Sequence, residues 1–249
     1  MANTFQAAFK VASAFRGRPK NGEALSPYYD NNSIAKGVAR GKHRDLIGGL
    51  WNEVGQWQFD LLVAQGLKPH HRLLDVGCGS FRGGVKFVDY LESGNYFGID
   101  LNWALINAGY EREIKKNGLA EKLPRENLAV TDSFSCDSFG GGFDFALAVS
   151  VFTHLPVNHW RVALENLAPE MKLGGIFLAT YFPCAEAARF SDDIVHSPAN
   201  VVSHGTMDPY HCRLSDVEHM TVNLPWAVAT LDVDNHPRGQ KVVRFRRTD

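Results

Sequence analysis

Short apolar runs alternate with helix-like stretches along most of this 249-residue chain, and no other feature limits its fold as much. The predicted strands are His71–Val76, Asn95–Asp100, Asn127–Asp132, Phe143–Val151, Gly175–Phe182, Trp226–Asp232 and Gln240–Arg246. The predicted helices between them are Gly83–Glu92, Trp103–Lys116, Val157–Leu167 and Ser215–Thr221. Such an alternation predicts an α/β fold, with a mostly parallel sheet covered by helices on both faces.

The segments around and between these elements carry weaker signals. The last two predicted strands are separated only by "NHPRG" and its neighbours, so a hairpin with an antiparallel final strand is expected. Ser215 and Glu218 have capping-box spacing, which favours a helix start there. Ala185–Phe190 is a short helix candidate, and Ser191–Cys212 is irregular. An irregular stretch of that length is usually functional or mobile.

The region before the first strand, residues 1–65, is predicted to be a helical extension and a lid, ahead of a main domain at residues 66–249. Arg16–Pro27 has the composition of a linker, and Ser33–Gly66 is mostly helical with breaks at Gly48, Gly49 and Gly55. The first twenty residues place phenylalanines and alanines at helical spacing, with basic residues and no acid. A transit peptide, a membrane-surface helix and a helix packed on the domain all fit that pattern, and the packed helix is favoured.

Composition argues against several classes of function. The formal net charge of −1 gives no basic excess for a nucleic-acid backbone. The four cysteines are far apart, which argues against a structural zinc site, an iron–sulfur cluster and a disulfide framework. No apolar run is long enough for stable membrane insertion. A cytoplasmic protein without a metal is therefore expected, and its self-association is left open.

The stretch "LLDVGCGSFRGG" places a glycine-rich loop directly after the first predicted strand. In open α/β sheets this loop lies where ligands bind, and glycines let its backbone approach a ligand closely. Asp100, at the end of the second strand, suits the two hydroxyls of a ribose. The third glycine arrives one residue too late for a dinucleotide fingerprint, which argues against an NAD-dependent oxidoreductase.

Several motifs together resemble the class I S-adenosylmethionine-dependent methyltransferases. They are "LLDVGCGSFRGG", "YFGIDLN", "NLAVTDSF", "FDFALAVSVFTHLP" and "LENLAPEMKLGGIFLATYF". The resemblance covers the chain from about Gly66 onward and implies a Rossmann-like, seven-stranded sheet with S-adenosyl-L-methionine as cofactor.

The resemblance also implies roles for individual residues. Asp75, Gly77, Cys78 and Gly79 would line the methionine portion of the cofactor, and Ser150 and Val151 would lie along it after strand four. Asp100 would hold the ribose, with Leu101 beside the adenine, while Asp132 and Ser133 would meet the adenine edge. Arg82 departs from the small residue common in this loop, and its contact is left open between the cofactor carboxylate and the N-terminal helices.

His154, in "VFTHLP", is the candidate catalytic base because it follows strand four and imidazole titrates near neutral pH. The substrate-side candidates lie in the irregular segment and in the aromatic stretch before the first strand: His196, His204, Tyr210, His211, Trp51 and Trp57. Simple core packing is the alternative for the tryptophans.

The sequence therefore predicts methyl transfer to a small molecule, most readily at oxygen. Transfer to nitrogen or to a sugar hydroxyl by the same fold is the first alternative. The residues after strand four include no acid for a catechol-type metal site and no Asn/Asp-Pro-Pro-aromatic motif of amino-methylating DNA enzymes. A noncatalytic cofactor-binding protein is the alternative of another kind, since a fold alone does not fix a function.

Overall fold

The structure, a computed structural model, describes residues 25–233 and 235–249. Ten strands occur in this part of the chain. They are β1 Leu73–Val76, β2 Tyr96–Asp100, β3 Leu128–Val130, β4 Phe143–Ala148, β5 Met171–Pro183, β6 Ile194–His196, β7 Val201–Ser203, β8 His211–Cys212, β9 Trp226–Leu231 and β10 Lys241–Arg247.

The main sheet has the strand order β3-β2-β1-β4-β5-β10-β9, and β8 adds a short pairing to the end of β5. Strands β1 to β5 pair in parallel, whereas β10 runs antiparallel to both β5 and β9. This arrangement confirms the predicted fold class and the antiparallel final strand. The chain order reverses at β1 and β4, so a crevice is expected at their carboxyl ends.

Seven α-helices are present in the described residues: α1 Asn31–Ala39, α2 His43–Leu46, α3 Trp51–Ala64, α4 Gly84–Tyr90, α5 Trp103–Gly109, α6 Asn158–Leu167 and α7 Leu214–His219. A π-helical segment, Tyr110–Ile114, continues α5. Apolar side chains form two clusters, one including Trp160 and Phe245, the other including Leu62 and Phe87. No helix among the described residues has the length and apolarity to cross a membrane.

Local predictions fail where tertiary contacts outweigh sequence pattern. Ala185–Phe190 is not helical, and the segment after it contains the β6–β7 hairpin, so it is more ordered than expected. Helix α7 begins without the predicted Ser215–Glu218 box, because the Arg213 backbone N–H donates to Asp216 Oδ2 and the Ser215 hydroxyl donates to Glu186.

The N-terminal region agrees in part with its prediction. Gly55 does not break α3, and a Cβ there would lie 2.6 Å from the Arg82 carbonyl, so glycine permits close packing. The helix expected in the first twenty residues, and most of the linker, fall outside the described residues.

Candidate active site

The loop after β1 turns sharply at two glycines. Gly77 has φ 73° and Gly79 has φ 52°, a backbone region that side chains rarely adopt. The N–H groups of Gly77 and Cys78 both donate to the Ile99 carbonyl, at 2.8 and 3.0 Å, which fixes the loop against β2. A Cβ on Gly77 would lie 2.5 Å from Val151 Cγ2, so the loop also approaches the chain that follows β4.

Asp100 lies at the carboxyl end of β2, with its carboxylate directed at the same loop. The backbone N–H groups of Gly79 and Asn102 donate to its two oxygens, each at 2.8 Å. Burial raises the pKa of Asp100 to about 6, although these N–H groups favour the charged form. In the part of the chain that the structure describes, no cation forms an ion pair with Asp100.

Asp75, the acid in front of the glycines, is buried in β1. It accepts a hydrogen bond of 2.7 Å from the Tyr96 hydroxyl. Burial raises the pKa of Asp75 to about 7, and the neighbouring charge of Asp100 adds to that effect. Its immediate partner is thus a core tyrosine.

The other predicted cofactor residues differ in how far their side chains are exposed to solvent. The Cys78 side chain packs in the core, close to Gly98, and burial raises the pKa of its thiol well above the usual value. Leu101 is half-buried, whereas Asp132 and Ser133 lie exposed in the loop after β3. The Ser150 N–H donates to Thr180 Oγ1 at 2.8 Å, and its hydroxyl lies 3.1 Å from Gln240 Oε1.

His154 follows β4 in a short 3₁₀ turn and lies beside a carboxylate from a distant loop. Its Nδ1 is 2.8 Å from Asp208 Oδ1, and the Ser26 hydroxyl donates to Asp208 Oδ2 at 2.7 Å. The Tyr28 ring packs edge-on against the imidazole, with ring centroids 4.9 Å apart. A histidine and a carboxylate arranged in this way leave Nε2 of the imidazole for proton transfer.

The substrate-side candidates from the irregular segment separate into two groups. His196 and His211 are buried, and both hydrogen-bond the Ser203 hydroxyl, at 2.6 and 3.0 Å. His204 pairs with the exposed Asp193. Tyr210 alone adjoins the His154 turn, since its N–H donates to the Thr153 carbonyl at 2.7 Å.

The two tryptophans lie on different sides of α3. Trp57 is buried, donates from Nε1 to Asn235 Oδ1 at 3.0 Å and packs edge-on against His236. Trp51 packs beneath the Arg44 guanidinium, 4.3 Å from ring centroid to carbon. Neither contact involves His154 or Asp208.

The segment before the first strand crosses the glycine loop. Ile47 lies over Gly79, where a Cβ would come within 2.9 Å of its Cγ2. The Arg82 guanidinium donates from Nη1 to the carbonyls of Ile47 and Gly49, at 3.0 and 2.9 Å. Of the two contacts left open for Arg82, the structure therefore contains the one with the N-terminal segment.

Comparison with known proteins agrees with this geometry. A family model described as a methyltransferase domain matches residues 74–177, which include the glycine loop, Asp100 and His154. This match, together with similar structures solved with bound S-adenosylmethionine, supports a class I S-adenosylmethionine-dependent methyltransferase. The same findings support an enzyme whose cofactor is S-adenosylmethionine.

Solved structures similar to this methyltransferase share its fold at low identity. A putative O-methyltransferase from Nostoc punctiforme has a TM-score of 0.62 at 15% identity, covering 98% of this chain and 67% of that one. The magnesium protoporphyrin IX methyltransferase of Synechocystis, with bound cofactor, has a TM-score of 0.54 at 13% identity, covering 91% and 87%. The pyocyanin biosynthetic protein PhzM has a TM-score of 0.59 at 15% identity, covering 98% and 69%.

The site of the methyltransferase fits its cofactor on two observations. Positive φ at both loop glycines turns a backbone without side chains toward the crevice, and a Cβ at either position would clash with Val151 or Ile47. Asp100 is a desolvated carboxylate, and hydroxyl groups are suitable donors to it. Within the described residues, no cluster of three or more histidine, cysteine or acidic side chains is placed to hold a metal ion.

Sequence reasoning missed the residues that reach the site from distant loops. Asp208, Ser26 and Tyr28 all contact or adjoin His154, and Arg238 donates to the Gly48 carbonyl beside the Arg82 contacts. The "DP" at Asp208 predicts only a turn. No local spacing relates it to His154.

Proposed function

We propose that this methyltransferase transfers a methyl group to a hydroxyl of a small molecule, with His154 as the general base. The observation that carries the proposal is the 2.8 Å contact between His154 Nδ1 and Asp208 Oδ1 at the carboxyl end of β4. A hydroxyl nucleophile gains from proton removal, whereas a free amine does not need it at the same step. Small-molecule methyltransferases among the similar structures support a small acceptor.

Each residue of the pair has a distinct part in the proposed reaction. Nε2 of His154 takes the acceptor's hydroxyl proton as the oxygen forms its bond to the methyl carbon. Asp208 accepts a hydrogen bond from Nδ1–H, which fixes the tautomer and stabilises the imidazolium that forms. When bound, the cofactor supplies an electrophilic methyl group on a sulfonium, and its carbon–sulfur electron pair leaves with the sulfur.

The cofactor is proposed to lie along the loop after β1. Asp100 would accept from the ribose hydroxyls, and the backbone of Gly77, Cys78 and Gly79 would pass close to the methionine portion. Leu101, Asp132 and Ser133 would surround the adenine, with Ser150 and Val151 on the β4 side. The exposure of Asp132 and Ser133 leaves them accessible to a ligand.

The region before β1 is proposed to act as a lid. Ser26 and Tyr28 contact the Asp208–His154 pair, and Ile47 lies over Gly79. Closure of such a segment excludes water and completes a site. We also propose a reducing, cytoplasmic location, supported by four free cysteines.

The test is a methyl-transfer screen with radiolabelled S-adenosylmethionine and matched panels of phenols, aliphatic alcohols and amines. We expect labelled product from hydroxyl acceptors, and at least about a hundredfold lower turnover in His154→Ala and Asp208→Asn. Binding of S-adenosylhomocysteine, measured by calorimetry with NAD as comparison ligand, should be unchanged in both variants. His219→Ala, a change at an exposed histidine, is the control. Label entering only amines, or full activity in His154→Ala, would refute the proposal.

A further inference from the structure

Two arginine side chains converge on the loop between α2 and α3. Arg82 donates to the carbonyls of Ile47 and Gly49, and Arg238 donates to the carbonyl of Gly48 between them. Gly48 and Gly49, with φ 90° and 63°, let successive carbonyls point at the two guanidiniums. A Cβ on Gly48 would lie 2.7 Å from Arg238 Nη2, so only glycine allows this approach.

Within the described residues, no ion pair neutralises these two positive charges, although the buried carboxyl of Asp75 acts on Arg82. Arg82 is only 7% exposed, and its Nε has no hydrogen-bond partner. Burial and the repulsion between the two guanidiniums lower the pKa of Arg82 to about 9. A buried charge without a partner is costly, and backbone carbonyls compensate it only in part.

The pair lies beside the proposed reaction centre. Arg82 follows the glycine loop, and Arg238 precedes Gln240, whose amide hydrogen-bonds Ser150 after β4. Tyr28, which packs against His154, lies within the electric field of both arginines. Its hydroxyl brings no negative charge, since burial raises the pKa of Tyr28 to about 12.

We propose that Arg82 and Arg238 form a binding site for a carboxylate group at the methyl-transfer centre. A guanidinium is suited to a carboxylate because its planar donors match the two oxygens. Two ligands of the proposed reaction offer such a group, the methionine end of the cofactor and an acidic acceptor. If the carboxylate belongs to the acceptor, the inference rests on the proposed function.

Whether the site binds the carboxylate of the cofactor is tested by measuring the affinity of two nucleosides by calorimetry. S-adenosylhomocysteine carries the carboxylate, and 5′-methylthioadenosine lacks the whole amino-acid portion beyond the sulfur. If the group belongs to the cofactor, Arg238→Gln should raise the Kd of S-adenosylhomocysteine by about tenfold or more. The Kd of 5′-methylthioadenosine should then change by less than about threefold. Arg238→Lys, which keeps the charge and loses the planar donors, should fall between.

The second source is tested on protein saturated with S-adenosylhomocysteine, with benzoate and neutral benzamide as probes. If the group belongs to the acceptor, wild type should bind benzoate better than benzamide, and Arg238→Gln should lose that preference. Equal weakening of both nucleosides, without a preference for benzoate, would overturn the proposal and leave the arginines as a clamp on residues 47–49. Because the readout is binding, the result is independent of which atom receives the methyl group.

Arg72→Gln is the matched control. Arg72 also donates to a backbone carbonyl, that of Phe139 at 3.0 Å, and its Nε also lacks a partner. Its guanidinium, however, lies 4.3 Å from the Phe97 ring centroid and at the amino end of β1, away from the crevice. Neither nucleoside nor benzoate affinity should change in this variant, and thermal unfolding of each protein shows whether its fold is intact.

Discussion

At the scale of single residues, Asp100 has the most direct relation to the cofactor. Its carboxylate already accepts from Gly79 and Asn102, so a third and fourth acceptor position remain for ribose hydroxyls. The acid must be ionised to accept from both hydroxyls. Because burial raises the pKa of Asp100 to about 6, mild acid should protonate it in the free protein.

We therefore expect Asp100→Asn to weaken S-adenosylhomocysteine binding by about tenfold or more, since a charge-assisted pair of hydrogen bonds is lost. In wild type, the affinity should fall as the pH is lowered from about 7.5 to about 5, because ligand binding then requires loss of a proton. Calorimetry at both pH values measures this. Asp89→Asn, at an exposed position, is the control. An unchanged affinity in Asp100→Asn would contradict the ribose assignment.

At the scale of elements, the π-helical segment Tyr110–Ile114 anchors the N-terminal helices. It presents Glu113, 3% exposed, between two side chains of α2. Glu113 Oε1 lies 2.7 Å from His43 Nε2, and Arg44 contacts both carboxylate oxygens. These partners lower the pKa of Glu113 against the opposing effect of burial. The proposed lid is thus attached at a defined point, where the Ser80 hydroxyl of the glycine loop also donates to the His43 carbonyl at 3.3 Å.

Glu113→Gln should lower the free energy of unfolding by about 1.5–3 kcal/mol, because charge-assisted hydrogen bonds to His43 and Arg44 are weakened. It should also speed proteolysis between α1 and α3, since that segment loses its anchor. Urea unfolding and timed trypsin digestion measure the two effects. Glu111→Gln is the matched control, as Glu111 lies two residues away and pairs at the surface with Lys115 and Arg125. Equal effects in both variants would disprove the anchoring role.

At the scale of the whole molecule, stability depends on pH because burial shifts the pKa values of different groups in opposite directions. Burial lowers the pKa of His196 to about 4, so below about pH 6.5 the unfolded chain binds a proton that the folded chain excludes. This group therefore destabilises the fold as the pH falls. Asp75 acts in the opposite direction, because its raised folded pKa of about 7 makes the folded chain bind more protons than the unfolded chain above about pH 4.

Urea unfolding from about pH 7 to about pH 5 separates the two contributions. Asp75→Asn still accepts a hydrogen bond from Tyr96, but it lacks the stability that wild type gains when Asp75 is protonated. Its free energy of unfolding should therefore fall more steeply than that of wild type as the pH is lowered. His196→Gln removes the group that destabilises the fold on acidification, so its free energy of unfolding should fall less steeply than that of wild type. The two slopes should differ by at most about 1.4 kcal/mol per pH unit. Parallel curves for all three proteins would refute the assignment of these groups.

Local pattern was sufficient for the elements of the sheet. Apolar runs predicted the seven main strands within a few residues, since the central strands β1, β2 and β4 are buried on both faces and are therefore apolar along their length. The hairpin spacing predicted the antiparallel β10, and the glycines predicted the sharp turn after β1. Asp100 could be placed at the site because the carboxyl ends of parallel strands share one edge.

The chemistry beside the cofactor site depends on contacts between loops far apart in sequence. Asp208 reaches His154, and Arg238 joins Arg82, without any shared local spacing. His196 and His211 were predicted on the substrate side, but in the structure they are buried and both hydrogen-bond the Ser203 hydroxyl. Periodicity reports the face that each element buries, whereas pairing between distant side chains is fixed only when the sheet brings their loops together. The sequence by itself thus determined the fold and the cofactor, and the tertiary structure alone decided which side chains surround the reacting groups.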